Sequence, residues 1–415
     1  MDKILVAAVD FGSKKISASL GVEDGKELEI LGSLSVLSRG IKKGLITNKE
    51  KCVEDIRDVL IRLEEESGKK INSIYVGIPS RNLRVTEFFA SVNLEEGKVR
   101  VKDIERALER GKRNVILSDG EEIAELIVNY FLLDEEIING DIKGLEGNIL
   151  TLNITAVIGN EEYLAVYKDV VEEAGYKING FVVNIIAGRQ VFVQGKSAKA
   201  NKALIDIGAG TTDIAIFKDG IAKYIYSIPI GGNNITKDLS VCLNLTMSEA
   251  EKAKMLYSSG YETLYNDESI ELIESDNSKV SKKLFYEIIN ARIDELFNYI
   301  KLELKNSSYF EGICSIIIYG EGLSYYENVK NVARANIDHK FTIVTGKDLG
   351  MQDSENITSL AIVKEVYDRE KLFIDENILA EQMNFENEIV IEKLEKRKEP
   401  EGLVRKLKSF LEDIF

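Results

Sequence analysis

Two stretches of the chain share one design: residues 3–14 read KILVAAVDFGSK, and residues 202–217 read KALIDIGAGTTDIAIF. In each stretch, an apolar run of strand length ends at an Asp-x-Gly turn, and a second strand-like run follows. The repetition predicts two copies of one structural unit. Helix-like and strand-like patterns alternate elsewhere, as in residues 52–63 and 71–79. The predicted fold class is therefore α/β with a duplicated unit.

The composition is typical of a globular protein. With 415 residues, 44% hydrophobic and 30% charged, the chain is long enough for about two or three domains. Its net charge of -16 argues against a general nucleic-acid-binding surface, because phosphate recognition needs clustered Lys and Arg. The N-terminus lacks the features of a signal peptide, and no apolar run is long enough to span a membrane. We therefore expect the protein to be made and kept inside the cell.

Cysteine and histidine are too sparse to suggest a disulfide framework or a zinc site. Cys52, Cys242 and Cys314 are far apart in apolar or mixed surroundings, so we expect buried, reduced thiols. The single histidine, His339, cannot form a His-rich zinc site. Structural or catalytic zinc is not expected.

The two Asp-x-Gly turns have the residue types of phosphate clamps. Glycine and small residues let backbone N–H groups approach phosphate oxygens, and an aspartate can hold hydrated Mg²⁺. One such turn is most often an ordinary hairpin, but two in one chain favour a pair of clamps that face each other. The first turn offers Asp10, Gly12, Ser13 and Lys14, and the second offers Asp206, Gly208, Ala209, Gly210, Thr211, Thr212 and Asp213. Asp10 and Asp206 are the candidate Mg²⁺ ligands, through water.

The paired turns resemble the two phosphate loops of the actin, Hsp70 and sugar-kinase superfamily, in which ATP lies between two halves of related fold. The stretch IPIGGNNITKD at 228–238, followed by SEAEKAK at 248–254, resembles more narrowly the FtsA family of cell-division actins. This resemblance implies a duplicated actin/Hsp70-type ATPase fold with an inserted α+β subdomain (1C) and a C-terminal amphipathic helix.

The resemblance also implies a division of the chain into subdomains. Subdomain 1A would comprise residues 1–81, 160–193 and 354–374, and the inserted subdomain 1C would comprise residues 82–159. Subdomain 2A would comprise residues 194–235 and 307–353, and subdomain 2B residues 236–306. A flexible linker at 375–399 would lead to the amphipathic helix at 400–415.

The family pattern extends the nucleotide site beyond the two turns. The residues that it adds are Gly231, Gly232, Asn233, Glu251, Lys254, Gly320, Glu321 and Gly322. If these positions have the same roles as in the family, Glu251 and Lys254 would touch the ribose or adenine, and Gly320–Gly322 would form the adenosine-side turn. Spacing alone favours a different interpretation of Glu251 and Lys254, as a solvated helix face.

The chain departs from the family pattern at two positions. Relatives usually have a second glycine where this chain has Glu321, so we expect Glu321 to crowd the base or to add negative charge. Asn184 stands where relatives usually have an acid, and an amide cannot act as a general base. The expectation is ATP and Mg²⁺ binding with slow or absent hydrolysis.

The segment 400–415, PEGLVRKLKSFLEDIF, has the pattern of an amphipathic helix. Its apolar face would comprise Leu403, Val404, Leu407, Phe410, Leu411, Ile414 and Phe415, flanked by Arg405, Lys406 and Lys408. Such a helix either docks on its own domain or lies in the membrane interface, with Lys and Arg near anionic headgroups. It resembles the membrane-targeting tail of the FtsA family, which favours the membrane.

The helical stretch 281–301 has an apolar face that we expect to pack, formed by Leu284, Ile288, Ile289, Leu296 and Ile300. Resemblance to the FtsA family would place the docking site for the C-terminal peptide of tubulin-like FtsZ on this subdomain. The matching residues are Lys283, Arg292 and Glu295. Solvated surface is the alternative interpretation.

Taken together, the resemblance implies an actin-like, ATP-binding division protein that self-assembles beneath the bacterial membrane at the division site. It would tether FtsZ filaments to an anionic membrane surface and bind other division proteins through subdomain 1C. A sugar or acid kinase of the same fold would need a further carboxylate base, and an Hsp70-like chaperone would need a β-rich substrate domain. A pilus-assembly relative shares the inserted subdomain, but the amphipathic tail argues against it.

Overall fold

The computed structural model describes residues 4–24, 27–193, 199–258, 269–271, 279–323, 326, 329–344 and 356–374. The predicted linker at 375–399 and the predicted amphipathic helix at 400–415 lie outside the described residues. Within the described ranges, no helix is both long enough and apolar enough to cross a membrane.

Strands and helices alternate along most of the chain. The strands are β1 (Leu5–Phe11), β2 (Lys15–Asp24), β3 (Glu27–Leu37), β4 (Ile41–Lys42), β5 (Leu45–Ile46), β6 (Ser73–Ile78), β7 (Leu83–Asn93), β8 (Glu121–Leu133), β9 (Glu136–Ile138), β10 (Ile149–Asn160), β11 (Lys177–Val183), β12 (Lys202–Ile207), β13 (Thr212–Lys218), β14 (Ile221–Ile228), β15 (Ser269–Glu271), β16 (Lys279–Ser281), β17 (Ser315–Tyr319) and β18 (Phe341–Ile343). The helices are α1 (Lys49–Ser67), α2 (Val101–Asn114), α3 (Glu161–Glu173), α4 (Asn184–Ala187), α5 (Arg189–Phe192), α6 (Gly232–Cys242), α7 (Met247–Tyr257), α8 (Lys282–Asn306), α9 (Val329–Asn336) and α10 (Ile357–Glu370).

Two five-stranded sheets share one topology. The first has the strand order β11-β6-β1-β2-β3, and the second has the equivalent order β18-β17-β12-β13-β14. In each sheet, the strand before the Asp-x-Gly turn pairs antiparallel with the strand after it and parallel with a later strand. The duplication predicted from the two turns is confirmed.

Helices cover the sheets, so β1 and β12 are buried almost throughout, which explains their nearly continuous apolar sequence. One face of the first sheet packs against α1 and α3 through residues such as Ile56 and Leu164. Its other face packs against α10, where Val6 and Ala8 meet Ile362 and Val366. In the second sheet, α6, α7 and α8 form the corresponding core, with Phe285 and Ile289 of α8 fully buried.

A four-stranded antiparallel sheet, of order β7-β10-β8-β9, lies between the elements of the first half in sequence. Helix α2 packs on one face of this sheet, and Gly111 of α2 allows the close approach of Phe88 and Ala90. A buried ion pair attaches the sheet to α10, because Arg369 Nη2 lies 2.5 Å from Glu125 Oε1. The inserted sheet is therefore held to the first half by this ion pair as well as by the polypeptide chain.

Two predictions about single side chains are wrong. Cys52 is buried, and burial raises the pKa of its thiol to about 12, but Cys242 and Cys314 are exposed. Cys242 is the last residue of α6 and Cys314 precedes β17, so neither thiol reaches a core. Leu284, in the first turn of α8, is 44% exposed, whereas Ile289, Leu296 and Ile300 are buried as expected.

Candidate functional site

The two Asp-x-Gly turns face each other across a cavity of about 370 Å³, a size typical of small-ligand sites. A Cβ atom added at Gly210 would lie 2.4 Å from Ser13 Oγ, so a side chain at Gly210 would force the turns apart. Ser13 Oγ also accepts a hydrogen bond from the Gly44 N–H at 3.0 Å. The predicted residues that line the cavity are Asp10, Gly12, Ser13, Lys14, Asp206, Gly208, Ala209, Gly210, Thr211, Asp213, Gly320 and Glu321.

Three carboxylates line this cavity: Asp213 is buried, and Asp10 and Asp206 are partly exposed. Burial raises the pKa of Asp10 to about 6, although a hydrogen bond from Asn184 Nδ2 at 2.7 Å opposes the rise. Burial and then the charges of Asp213 and Asp10 raise the pKa of Asp206 well above its usual range. The pKa of Asp213 is also raised by burial, against a 2.8 Å hydrogen bond from the Ser80 N–H. The cavity therefore holds more negative charge than its surroundings neutralise.

Such a set of carboxylates fits a divalent cation. Mg²⁺ usually binds through one or two carboxylates and completes its shell with water and substrate phosphates, a role that Asp10 and Asp206 fit. In the described part of the chain, no group of three or more His, Cys, Asp or Glu side chains is arranged to hold a metal by itself. Any metal bound here would take the rest of its ligands from water or from a bound ligand.

A third backbone segment braces the second turn. Gly320 has φ of 104°, and a Cβ atom there would lie 2.4 Å from Asp206 Oδ1, so this position requires glycine. The Gly322 N–H donates to the Ile207 carbonyl at 2.7 Å. The backbone around Gly320 is thus fixed against the strand that carries Asp206.

Several predicted site residues brace the cavity from behind and do not line it. The Gly232 N–H donates to the Gly208 carbonyl at 3.0 Å, and the Asn233 N–H donates to the Ala209 carbonyl at 2.8 Å. Thr212 Oγ1 donates to the Ile230 carbonyl at 2.9 Å. The predicted residues outside the cavity lining are Thr212, Gly231, Gly232, Asn233, Glu251, Lys254 and Gly322.

Lys254 is buried, with 3% of its surface exposed, so a solvated helix face is wrong for this residue. Its Nζ atom lies 2.7 Å from Thr236 Oγ1 and 2.5 Å from Glu251 Oε2, because α7 packs against α6. Burial lowers the pKa of the Lys254 ammonium, and the neighbouring Glu251 charge opposes this. Lys254 also donates to the Gly232 carbonyl at 3.3 Å, which places it directly behind the second turn.

An ion pair crosses the cavity from one half of the molecule to the other. Lys15 Nζ, at the start of β2, lies 2.6 Å from Glu321 Oε1, which follows β17. Both residues line the cavity. Glu321 therefore directs its carboxylate to a cation beside the first turn.

Other lining residues had no signal in the sequence. Phe192 and Tyr319 stack with ring centroids 4.0 Å apart and form an apolar part of the wall. The unpredicted lining residues are Phe11, Lys15, Gly44, Pro79, Phe192, Tyr319, Val344, Ile357 and Thr358. Among them, only Lys15 could have been suspected from the sequence, because it is a cation that directly follows the residues proposed for the first clamp.

The candidate partner residues on α8 are only partly brought together. Arg292 binds Asp238 of α6 with two nitrogens, Nε at 2.5 Å and Nη2 at 2.9 Å, and its Nη1 also contacts Glu295. Lys283 lies at the start of α8, nine residues earlier, with its side chain 60% exposed and 4.0 Å from Glu287. The candidate membrane residues, Leu403 to Phe415, lie outside the described residues.

Comparisons with known proteins agree with this architecture. The model of the family "Cell division protein FtsA" matches residues 203–364. A cell division protein FtsA from Neisseria meningitidis is 28% identical over 341 residues, which is 80% of this chain and 82% of that protein. The protein of the same name from Bacillus subtilis is 26% identical over 366 residues, which is 87% of this chain and 83% of that protein.

Solved structures show the fold. A chain of the PilM-PilN type IV pilus biogenesis complex has a TM-score of 0.59 at 12% identity and covers 89% of this chain and 99% of its own length. MreB5 of Spiroplasma citri bound to ADP has a TM-score of 0.50 at 14% identity, covering 89% of this chain and 97% of its own. The architecture is an actin-like fold.

Proposed function

We propose that the chain, which is similar to cell division proteins FtsA over most of its length, is an ATP-binding tether that joins FtsZ filaments to the membrane at the division site. The cavity between the two Asp-x-Gly turns is the observation that carries this proposal. The protein would polymerise on the cytoplasmic face of the membrane, and the subdomain boundaries given above belong to the same proposal.

The cavity supplies the chemistry that Mg·ATP requires. The backbone around Gly12 and around Gly208 to Gly210 would approach phosphate oxygens, and Lys14 would add positive charge. Asp10 and Asp206 would hold Mg²⁺ through water, and the metal would neutralise the charge of these carboxylates. The bound metal would offset phosphate charge, and the ligand would join the two halves.

Slow or absent hydrolysis is part of the proposal. Asn184 donates to Asp10 and cannot take a proton from water as a carboxylate can. Asp10 and Asp206 would be occupied by the metal. ATP would then act mainly as a ligand that stabilises assembly.

Membrane attachment would depend on residues 400–415. One short amphipathic helix binds anionic membrane weakly and reversibly, with its apolar face buried and Arg405, Lys406 and Lys408 near headgroups. A polymer would display many such helices and raise the overall avidity by orders of magnitude. This links ATP-dependent assembly to membrane tethering.

Protein partners would bind elsewhere on the molecule. The C-terminal peptide of FtsZ would dock near Lys283, Arg292 and Glu295, where the bidentate geometry of Arg292 suits a carboxylate. Other division proteins would bind the inserted sheet.

One structural observation favours a second candidate, a role in pilus assembly. The likeness to a chain of the PilM-PilN complex extends over 89% of this chain. A soluble pilus-type role would not need membrane binding by residues 400–415. The tail is therefore the feature that separates the two functions.

Co-sedimentation with anionic liposomes tests the proposal directly. The full chain, a version ending at Glu399 and a Glu412→Gln control would be compared with and without Mg·ATP. We expect pelleting that depends on the tail, that ATP strengthens and that the control retains. Equal pelleting of the full and shortened chains would contradict the tether and favour the pilus-type role.

A further inference from the structure

The ion pair between Lys15 and Glu321 is a direct polar contact across the cavity between the two halves. Lys15 belongs to the first sheet and Glu321 follows a strand of the second, 306 positions later in the chain. Their side chains are 19% and 33% exposed, so solvent reaches the pair only partly. The contact lies beside the first turn, whose backbone would approach the phosphates of the proposed ligand.

A carboxylate oxygen and a phosphate oxygen make the same charge-assisted hydrogen bond with a lysine ammonium. Glu321 therefore makes the same contact with the Lys15 ammonium that a phosphate group would make. It also adds a fourth negative side chain to a cavity that contains Asp10, Asp206 and Asp213, and its charge contributes to the raised pKa of Asp10 and Asp206.

The backbone presents Glu321 in a fixed position. Gly320 is held against Asp206, and the Gly322 N–H is bonded to the Ile207 carbonyl at 2.7 Å. Between these two anchors, the Glu321 backbone has little freedom to withdraw. Release of Lys15 therefore requires rotation of the Glu321 or the Lys15 side chain.

We propose that Glu321 is an internal competitor for phosphate, which holds Lys15 and clasps the two halves together until the nucleotide's phosphate displaces it. This inference rests on the proposed ATP site and adds an affinity-setting residue to it. Binding would require the clasp to open, so Glu321 would lower the affinity for ATP and tie phosphate binding to a change between the halves.

Titration of the full chain with Mg·ATP, by calorimetry at low and at physiological salt, tests the competitor. The variants are Glu321→Gln, Lys15→Gln and the double variant, with Glu311→Gln as a control carboxylate shortly before β17, outside the cavity. Glu321→Gln should bind roughly five-fold more tightly than the unaltered chain, since a partly exposed pair is worth up to ~1 kcal/mol. Glu311→Gln should leave affinity unchanged.

The double variant separates competition from a merely structural role. If Glu321 acts by holding Lys15, Glu321→Gln should gain little affinity in the Lys15→Gln background. Salt gives a second readout. The affinity of Glu321→Gln should fall more steeply with salt than that of the unaltered chain, in which salt also weakens the clasp.

The outcomes distinguish this inference from the proposed function. Equal or weaker ATP binding by Glu321→Gln, with normal binding by the unaltered chain, would overturn the competitor and leave the ATP site standing. Absence of binding in both would overturn the ATP site and the competitor together. If Glu321→Gln failed to fold, Glu321→Asp, which keeps the charge but shortens the reach, should still bind ATP more tightly, and unchanged affinity there would overturn the competitor.

Discussion

Asn184 donates a hydrogen bond from Nδ2 to Asp10 Oδ1 at 2.7 Å, although β6 lies between β1, which carries Asp10, and β11, which directly precedes Asn184. Gly77 of β6 makes this reach possible, because a Cβ atom there would lie 2.4 Å from Asn184 Oδ1. The donated hydrogen bond favours the ionised form of Asp10 and lowers its pKa, while burial raises it. Asn184 thus maintains the charge of a proposed Mg²⁺ ligand.

Replacing Asn184 by Ala should weaken Mg·ATP binding most strongly near pH 6.5. Without the donor, the pKa of Asp10 should rise further above its value of about 6, so a proton would compete with the metal. Titrations at pH 6.5 and pH 8 measure the effect. An equal loss at both pH values would contradict an action through Asp10.

In the unaltered chain, Mg·ATP affinity should fall as the pH drops from 7 to 5. Asp10 has a pKa of about 6 and is protonated below it, and Asp206 is shifted in the same direction. Because metal ligands must be deprotonated, each proton bound opposes the metal. Titration of ATP without Mg²⁺ is the control, and a parallel fall there would show that the lost interaction is not with the metal.

Asp10→Asn should stabilise the fold at pH 7 while it weakens Mg·ATP binding. The pKa of Asp10 is 3.8 in the unfolded chain and about 6 in the folded protein. Ionised Asp10 therefore reduces the free energy of unfolding by at most about 3 kcal/mol. This loss of stability is fully present above pH 6, where Asp10 is ionised in both states. It disappears as the pH falls towards 3.8, because the folded protein then binds the proton first. Urea unfolding at pH 7 and pH 5 measures the difference between the variant and the unaltered chain, which should shrink at the lower pH.

Asp238 and a partner's carboxylate would compete for Arg292. Asp238→Asn should free the guanidinium and strengthen binding of the FtsZ C-terminal peptide a few-fold, whereas Arg292→Glu should weaken it. Fluorescence anisotropy with a labelled peptide measures both, and nucleotide affinity serves as the control. Unchanged peptide binding in both variants would place the docking site elsewhere.

Glu125→Gln should destabilise the protein far more than Glu122→Gln on the same strand. Glu125 is completely buried, pairs with Arg369 and accepts the Val183 N–H at 2.9 Å, so its loss leaves a buried cation underneutralised and costs about 3 kcal/mol. Glu122 pairs with Lys168 near solvent, where such pairs contribute less than about 1 kcal/mol. Chemical denaturation measures both, and similar losses would show that burial does not decide the effect.

The fold was predictable from sequence where the pattern was local and repeated. The apolar runs that end at Asp10 and Asp206 each specify a buried strand followed by a turn, and their repetition predicts the duplication. Exposure was less predictable, because an apolar neighbourhood does not say which way one side chain points. Cys242 and Cys314 illustrate this, and Lys254 shows the reverse, a charge buried by the packing of one helix on another.

The candidate site was only half predictable. Its two turns carry glycines and aspartates in a recognisable order, whereas the partners that complete them come from distant strands. Nothing near Lys15 in the sequence indicates Glu321, and nothing near Asp10 indicates that Asn184 would bond to it. These contacts follow from the strand order, which a single sequence does not display.

The packing of α10 on the first sheet has a consequence for synthesis on the ribosome. β1 and β11 emerge early, but the cluster that includes Val6, Ala8 and Val182 is covered by Ile362 and Val366, near the end of the described chain. Until α10 leaves the ribosome, one apolar face of the first sheet has no cover, and such surfaces favour aggregation. The first half therefore cannot complete its core until the second half of the molecule has been synthesised.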